Sequence, residues 1–177
     1  MNNELEVLFK NENLKNQISD HLINHWKYLN IQKYCKKDDA IKFFINSEKT
    51  KTNFVDIIEK EIFPLKGKQV LDIGCGSGGV IISCALRGAK AVGFDIDEVE
   101  IKIAKLRTKA YSIEHNVSTF IGNAENIPFP DNSFDLVTAT SVLEHVKNLE
   151  NVIKEMIRVT KPGGFCCTTT PNPLFPR

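Results

Sequence analysis

The sequence contains no window approaching the roughly 20 apolar residues that a membrane-spanning helix needs. Its start, MNNELEVLFKNENLKNQ, holds no apolar run of signal-peptide length. On both absences a cytoplasmic chain is the expectation. The five cysteines, Cys35, Cys75, Cys84, Cys166 and Cys167, are odd in number and never fall at C-x-x-C spacing. That argues against a zinc site or a disulfide framework. An excess of one charge is lacking too: 23 basic against 22 acidic residues leave a net charge of +1. Nothing general therefore favours nucleic acid or an anionic membrane, and no basic stripe with interleaved aromatics marks a nucleic-acid surface. Internal repeats and low-complexity segments are missing as well. What remains is an ordinary globular composition, 42% apolar and 25% charged. The length fits one domain that buries roughly 70% of its unfolded surface.

Up to about Lys66 the chain reads as polar helix, with apolar residues at mixed three- and four-residue spacings. NFVDIIEKEIF reads as a separate amphipathic helix, capped by Asn53 and stopped by Pro64. From Lys68 strands and helices alternate. QVLDIG, KAVGFDI, STFIGN, FDLVTAT and GFCCTTTP read as strands. GGVIISCALRG, DEVEIKIAKLRTKAYS and LENVIKEMIRVT read as helices, the last stopped by Lys161-Pro162-Gly163-Gly164. Such alternation predicts an α/β fold, a doubly wound and mostly parallel sheet with right-handed crossovers. Ligands bind such sheets at the switch point, here the carboxyl end of the first strand. The expected division is a helical cap or lid over residues 1–66 and a binding core over residues 67–177.

The first strand runs into glycines. Gly74-x-Gly76-x-x-Gly79 is literally a dinucleotide fingerprint, but the pattern alone is weak evidence for any nucleotide. Glycines after a buried strand permit positive φ and close approach of backbone to ligand, which suits several adenosine-bearing molecules. Asp72 discriminates among them. A carboxylate two residues before Gly74 would repel a pyrophosphate and favour a ligand carrying positive charge. A purely structural role in the turn is the alternative. Asp95, 21 positions after Gly74, stands where an acid accepts from ribose hydroxyls, and Asp97 is better placed than Asp95 to cap the following helix.

The set D-x-G-x-G-x-G from Asp72, G-F-D ending at Asp95, G-N-A-E from Gly122, P-F-P-D-N-S-F-D-L-V from Pro128 and L-E-H-V from Leu143 resembles the class I S-adenosylmethionine-dependent methyltransferases. The likeness covers roughly residues 70–173. It is nearest to a small-molecule branch that includes quinone-biosynthesis O-methyltransferases.

The resemblance implies a Rossmann-like methyltransferase fold with added N-terminal helices, S-adenosyl-L-methionine as cofactor and a small-molecule methyl acceptor, methylated at oxygen. Asp72, Gly74, Cys75, Gly76 and Gly78 would wrap the methionine part, with the Gly74 backbone accepting from the ammonium. Asp95 would take the ribose hydroxyls, Ile96 would pack on adenine, and the Ala124 N–H would serve a ring nitrogen. Asn123 stands where the family usually has an acid; its amide oxygen can still accept from the adenine amino group. Thr140 and Ser141 would lie beside the methyl donor. His145 is the candidate general base, or else a structural histidine at a helix start. Some relatives bind a metal through E-x-x-E-H; Ser141 replaces the first acid here, so no metal is expected. His21, His25 and His115 read as structural. Trp26, Tyr28, Tyr34, Phe43 and Phe44 either pack the N-terminal part onto the sheet or form a lid over the acceptor.

Relatives carry seven strands, the last two an antiparallel hairpin, whereas TTTPNPLFPR follows directly on strand five. The expectation is a fold truncated after strand five, with an open edge through which chains self-associate. One competing reading is a cofactor-binding fragment without turnover. Another is a nicotinamide-dependent oxidoreductase, resting on Gly74, Gly76, Gly79 and Asp95; Asp72, G-N-A-E and L-E-H-V speak against it.

Overall fold

Five apolar segments pair into one parallel sheet: β1 Gln69–Ile73, β2 Lys90–Asp95, β3 Val117–Ile121, β4 Phe134–Thr140 and β5 Thr160–Thr169, in the order β3-β2-β1-β4-β5. The computed structural model describes residues 11–30, 33 and 35–170. Tyr34 and the closing PNPLFPR segment lie outside the described residues. β1 is central, and Val70, Leu71 and Ile73 are fully buried, as a strand covered on both faces should be. The connections lead one way from β1 to β2 and β3 and the other way to β4 and β5, which opens a crevice at the carboxyl ends of β1 and β4.

Helices α3 Gly79–Leu86 and α4 Glu98–Ala110 cover one face of the sheet, and α5 Leu149–Val159 covers the other. The starts of α4 and α5 are fixed locally. Asp97 accepts from the Val99 N–H at 2.8 Å and Asn148 from the Asn151 N–H at 3.0 Å, each satisfying an orphan donor. The sequence assigns the α4 cap to Asp97, and the structure agrees.

Two N-terminal helices form an outer layer, α1 Glu12–Tyr28 and α2 Lys37–Glu61. α2 runs unbroken for 25 residues, so Asn53 does not cap a helix. It sits mid-helix, and the capping position is Lys36, without a side-chain cap bond. The reason is the buried stripe Ala40, Phe44, Glu48, Thr52, Val55 and Ile58, which keeps helical spacing straight through Asn53. The aromatics also differ from expectation. Trp26 and Phe44 pack with Leu14, Ile18 and Leu22 against Ile103 of α4, not onto the sheet. That face of the sheet is already covered by α3 and α4. Tyr28 is 86% exposed. His25 ties the layer down through Asp97, Nε2 to Oδ2 at 2.7 Å.

β5 begins earlier than its sequence suggests. Thr160 already pairs with Phe134, and Leu136 next pairs with Phe165. The intervening Lys161-Pro162-Gly163-Gly164 is accommodated in a bulge, where a proline without N–H is tolerated and Gly163 takes φ +76°.

Candidate functional site

The glycine loop links β1 to α3, and Gly74, Gly76 and Gly78 all have left-handed φ. At Gly74 the reason is spatial as well: a Cβ there would collide with the methyl groups of Val142, from the loop after β4. Gly79 answers a different demand. A Cβ there would strike the Lys51 stem and come within 2.9 Å of Glu48 Oε1, so this glycine lets α2 approach. The third glycine of the literal fingerprint is therefore explained by helix packing.

A cavity of about 450 Å³ opens over the carboxyl ends of the strands. Of the residues singled out from the sequence, Gly74, Asp95, Ile96, Asn123, Ala124, Ser141 and His145 line it. Five others do not. Thr140 lies half-buried just before Ser141. Gly76 is half-buried in the loop, and Gly78 is buried behind it. Cys75 turns its side chain inward against Gly93, its N–H donates to the Phe94 carbonyl at 2.9 Å, and burial pushes its thiol well up. Asp72 is buried beneath the loop.

Asp95 organises the near wall. Its Oδ2 accepts from the Gly76 N–H at 2.8 Å and its Oδ1 from the Asp97 N–H at 3.0 Å. Each carboxylate oxygen retains accepting capacity, so a diol can still donate to it. Across the cavity, Asn123 Oδ1 accepts from the Glu125 N–H at 2.9 Å. Glu125 in turn accepts from the backbone of Lys147 and Asn148, both at 3.2 Å, which holds the far rim. Ser141 has φ +56°, a strained value for a serine, and its N–H is held by the Thr169 carbonyl at 2.8 Å. His145 occupies a turn ahead of α5, its side chain 72% exposed, with Nε2 3.9 Å from Glu144 Oε1. It stands at the rim rather than at a helix start.

Four residues that sequence reading missed shape the site. Thr138 donates to Asp72 Oδ1 at 2.6 Å across the β1–β4 pairing. Its only signal is a polar residue in an apolar strand. Arg107 donates to the Ser77 carbonyl of the glycine loop at 2.6 Å and pairs with Glu48. Its signal is a charge that continues the buried stripe from Ile103. Glu48 and Lys51 carry no local signal. Three acids, Asp72, Asp95 and Glu100, stand around the loop; the Asp95 charge raises the carboxyls of Asp72 and Glu100, and the Lys51 charge lowers both. Burial is the larger cause and pushes both Asp72 and Glu100 up. Such a set suits a cationic ligand better than a pyrophosphate. Asp72 Oδ2 is buried with no hydrogen-bond partner among the described residues.

Residues 71–168 match the methyltransferase domain family. The demethylmenaquinone methyltransferase of Geobacillus stearothermophilus is 43% identical over 115 residues, covering 62% of this chain and 49% of that protein. The norajmaline N-methyltransferase of Rauvolfia serpentina is 42% identical over 100 residues, covering 56% of this chain and 34% of that protein. The chain thus spans half or less of either relative's length. Among solved structures, the [4+2]-cyclase SpnF superposes with a TM-score of 0.63 at 28% identity, over 67% of this chain and 44% of its own.

Proposed function

The chain belongs to the class I S-adenosylmethionine-dependent methyltransferases, and we propose that it binds S-adenosyl-L-methionine in the cavity beyond β1 and methylates a small molecule at oxygen. The observation that carries this is the meeting, in one cavity, of Gly74, Asp95, Asn123, Ala124 and Ser141 from four separate strand ends. The site fits the cofactor on its own chemistry. Asp95 keeps free accepting capacity for a ribose diol, Asn123 for an adenine amino group, and the unpartnered Asp72 Oδ2 lies in a cluster of acids that welcomes positive charge. Ile96, 77% exposed at the cavity wall, offers an apolar face for adenine.

When bound, the cofactor supplies a methyl group already activated by its sulfonium. The protein then has to align the acceptor and keep water out. Ser141 and Val142, at the end of β4, form the wall nearest Gly74. His145 at the rim takes the proton from an acceptor hydroxyl; an amine that binds unprotonated would not need it. The helical layer of α1 and α2 belongs to the same enzyme as a cap on the α3–α4 side.

Calorimetry with S-adenosylmethionine and, separately, NADH tests the cofactor. Micromolar binding of the first alone, weakened at least about tenfold in Asp95→Ala, is expected. Binding of NADH alone overturns the reading. His145→Ala is expected to lower kcat by about 10²- to 10⁴-fold with cofactor affinity unchanged, measured with phenol or quinol acceptors. Cofactor binding without transfer to any acceptor points instead to a binding domain without turnover.

A further inference from the structure

Helix α2 comes closer to the glycine loop than a lid over an acceptor requires. Glu48 and Lys51 stand three positions apart, and both would meet a Cβ on Gly79. Glu48, 4% exposed, pairs with Arg107, 2% exposed. Arg107 also donates to the Ser77 carbonyl at 2.6 Å and lies 4.9 Å over the Phe44 ring. A buried pair of this kind has few alternative geometries, because either charge alone in the interior is strongly unfavourable. It therefore fixes α2, α4 and the loop relative to one another.

This mounting leaves the Lys51 ammonium at the loop. Its Nζ lies 3.7 Å from the position a Cβ would take on Gly76, and Glu100 Oε2 lies equally close to that position. Among the described residues no carboxylate lies within ion-pair distance of Lys51. Its charge nevertheless reaches Asp72, Cys75 and Glu100, pulling each toward deprotonation. The ligand assigned to this cavity carries an ammonium and a sulfonium, which the acids suit. It also carries a carboxylate, which no acid can accept. Arg107 is already committed to Glu48 and Ser77.

We propose that Lys51 binds the carboxylate of the cofactor's amino-acid end, with Glu48 and Arg107 as positioning residues that hold α2 against the glycine loop. The proposal rests on the cofactor reading above. It makes the helical layer a wall of the cofactor site, and it predicts a selectivity. The protein should prefer S-adenosylhomocysteine to its decarboxylated form, which keeps the adenosine and the ammonium and lacks only the carboxylate.

The test is calorimetry of the full chain with these two ligands. Wild-type protein is expected to prefer S-adenosylhomocysteine by about ten- to a hundredfold, the range of one charge-assisted contact. Lys51→Met should erase that preference while leaving affinity for the decarboxylated ligand intact, which also shows that the variant is folded. Lys51→Arg should restore part of it. Glu48→Gln should reduce the preference without abolishing it. A preference that survives in Lys51→Met overturns the proposal, as does an equal loss of both ligands. Wild-type protein that binds neither ligand removes the cofactor reading itself, and this proposal with it.

Discussion

Asp72 accepts from Thr138 and otherwise meets no donor among the described residues. Burial pushes its carboxyl up to about 7; the Thr138 bond and the Lys51 charge pull down, and Asp95 adds to the rise. The folded protein therefore keeps a proton that the unfolded chain loses near pH 4. Stability from this group is full below that pH and is lost as pH rises through about 7. At about 1.4 kcal/mol per unit, the swing amounts to a few kcal/mol. Asp72→Asn is accordingly expected to be more stable than wild type at pH 8, with the gap narrowing toward pH 5, in urea melts at both values. A bound ammonium should favour the carboxylate. Cofactor binding near pH 7 should then release a proton, visible as a dependence of binding heat on buffer ionisation enthalpy. A heat independent of buffer would remove Asp72 from the ligand's surroundings. Asp72 and Asp95 could be found in the sequence because each stands at a short, fixed offset from a glycine or a strand end. Lys51 and Arg107 could not, because they reach the loop only through helix packing, which a linear pattern does not encode.

The strands and the three helices of the core follow from their apolar runs and caps, and α2 shows where such reading fails. Asn53, followed three positions later by Asp56, looks like a helix start. The stripe from Ala40 onward, however, includes Glu48, a charged residue that reads as solvent-facing until its partner is known. Once Arg107 is in place, Glu48 counts as interior and the helix runs through. Glu48→Ala is expected to destabilise the protein by about 3–5 kcal/mol, since it leaves Arg107 buried and unpaired. Replacing both residues by apolar ones of similar volume should cost much less. Equilibrium unfolding of the single and double variants checks both statements, and equal losses would mean that packing rather than charge holds α2.

At the scale of the molecule, β5 pairs with β4, and among the described residues no strand covers its outer edge. Phe165 is 43% exposed on that strand and Cys166 is exposed beside it. Such an edge is a template for another chain. Light scattering at concentrations on the order of tens of micromolar should show self-association that Phe165→Lys suppresses; a clean monomer would count against it.

Glu48 and Arg107 meet across 59 positions of sequence. During translation, the segment carrying Glu48 emerges early and has no charge to neutralise it until α4 follows. The glycine loop lies between the two and gains its carbonyl anchor at the same moment. A nascent chain that stops short of α4 can thus pair β1 with β2 and still lack a finished cradle at the glycine loop.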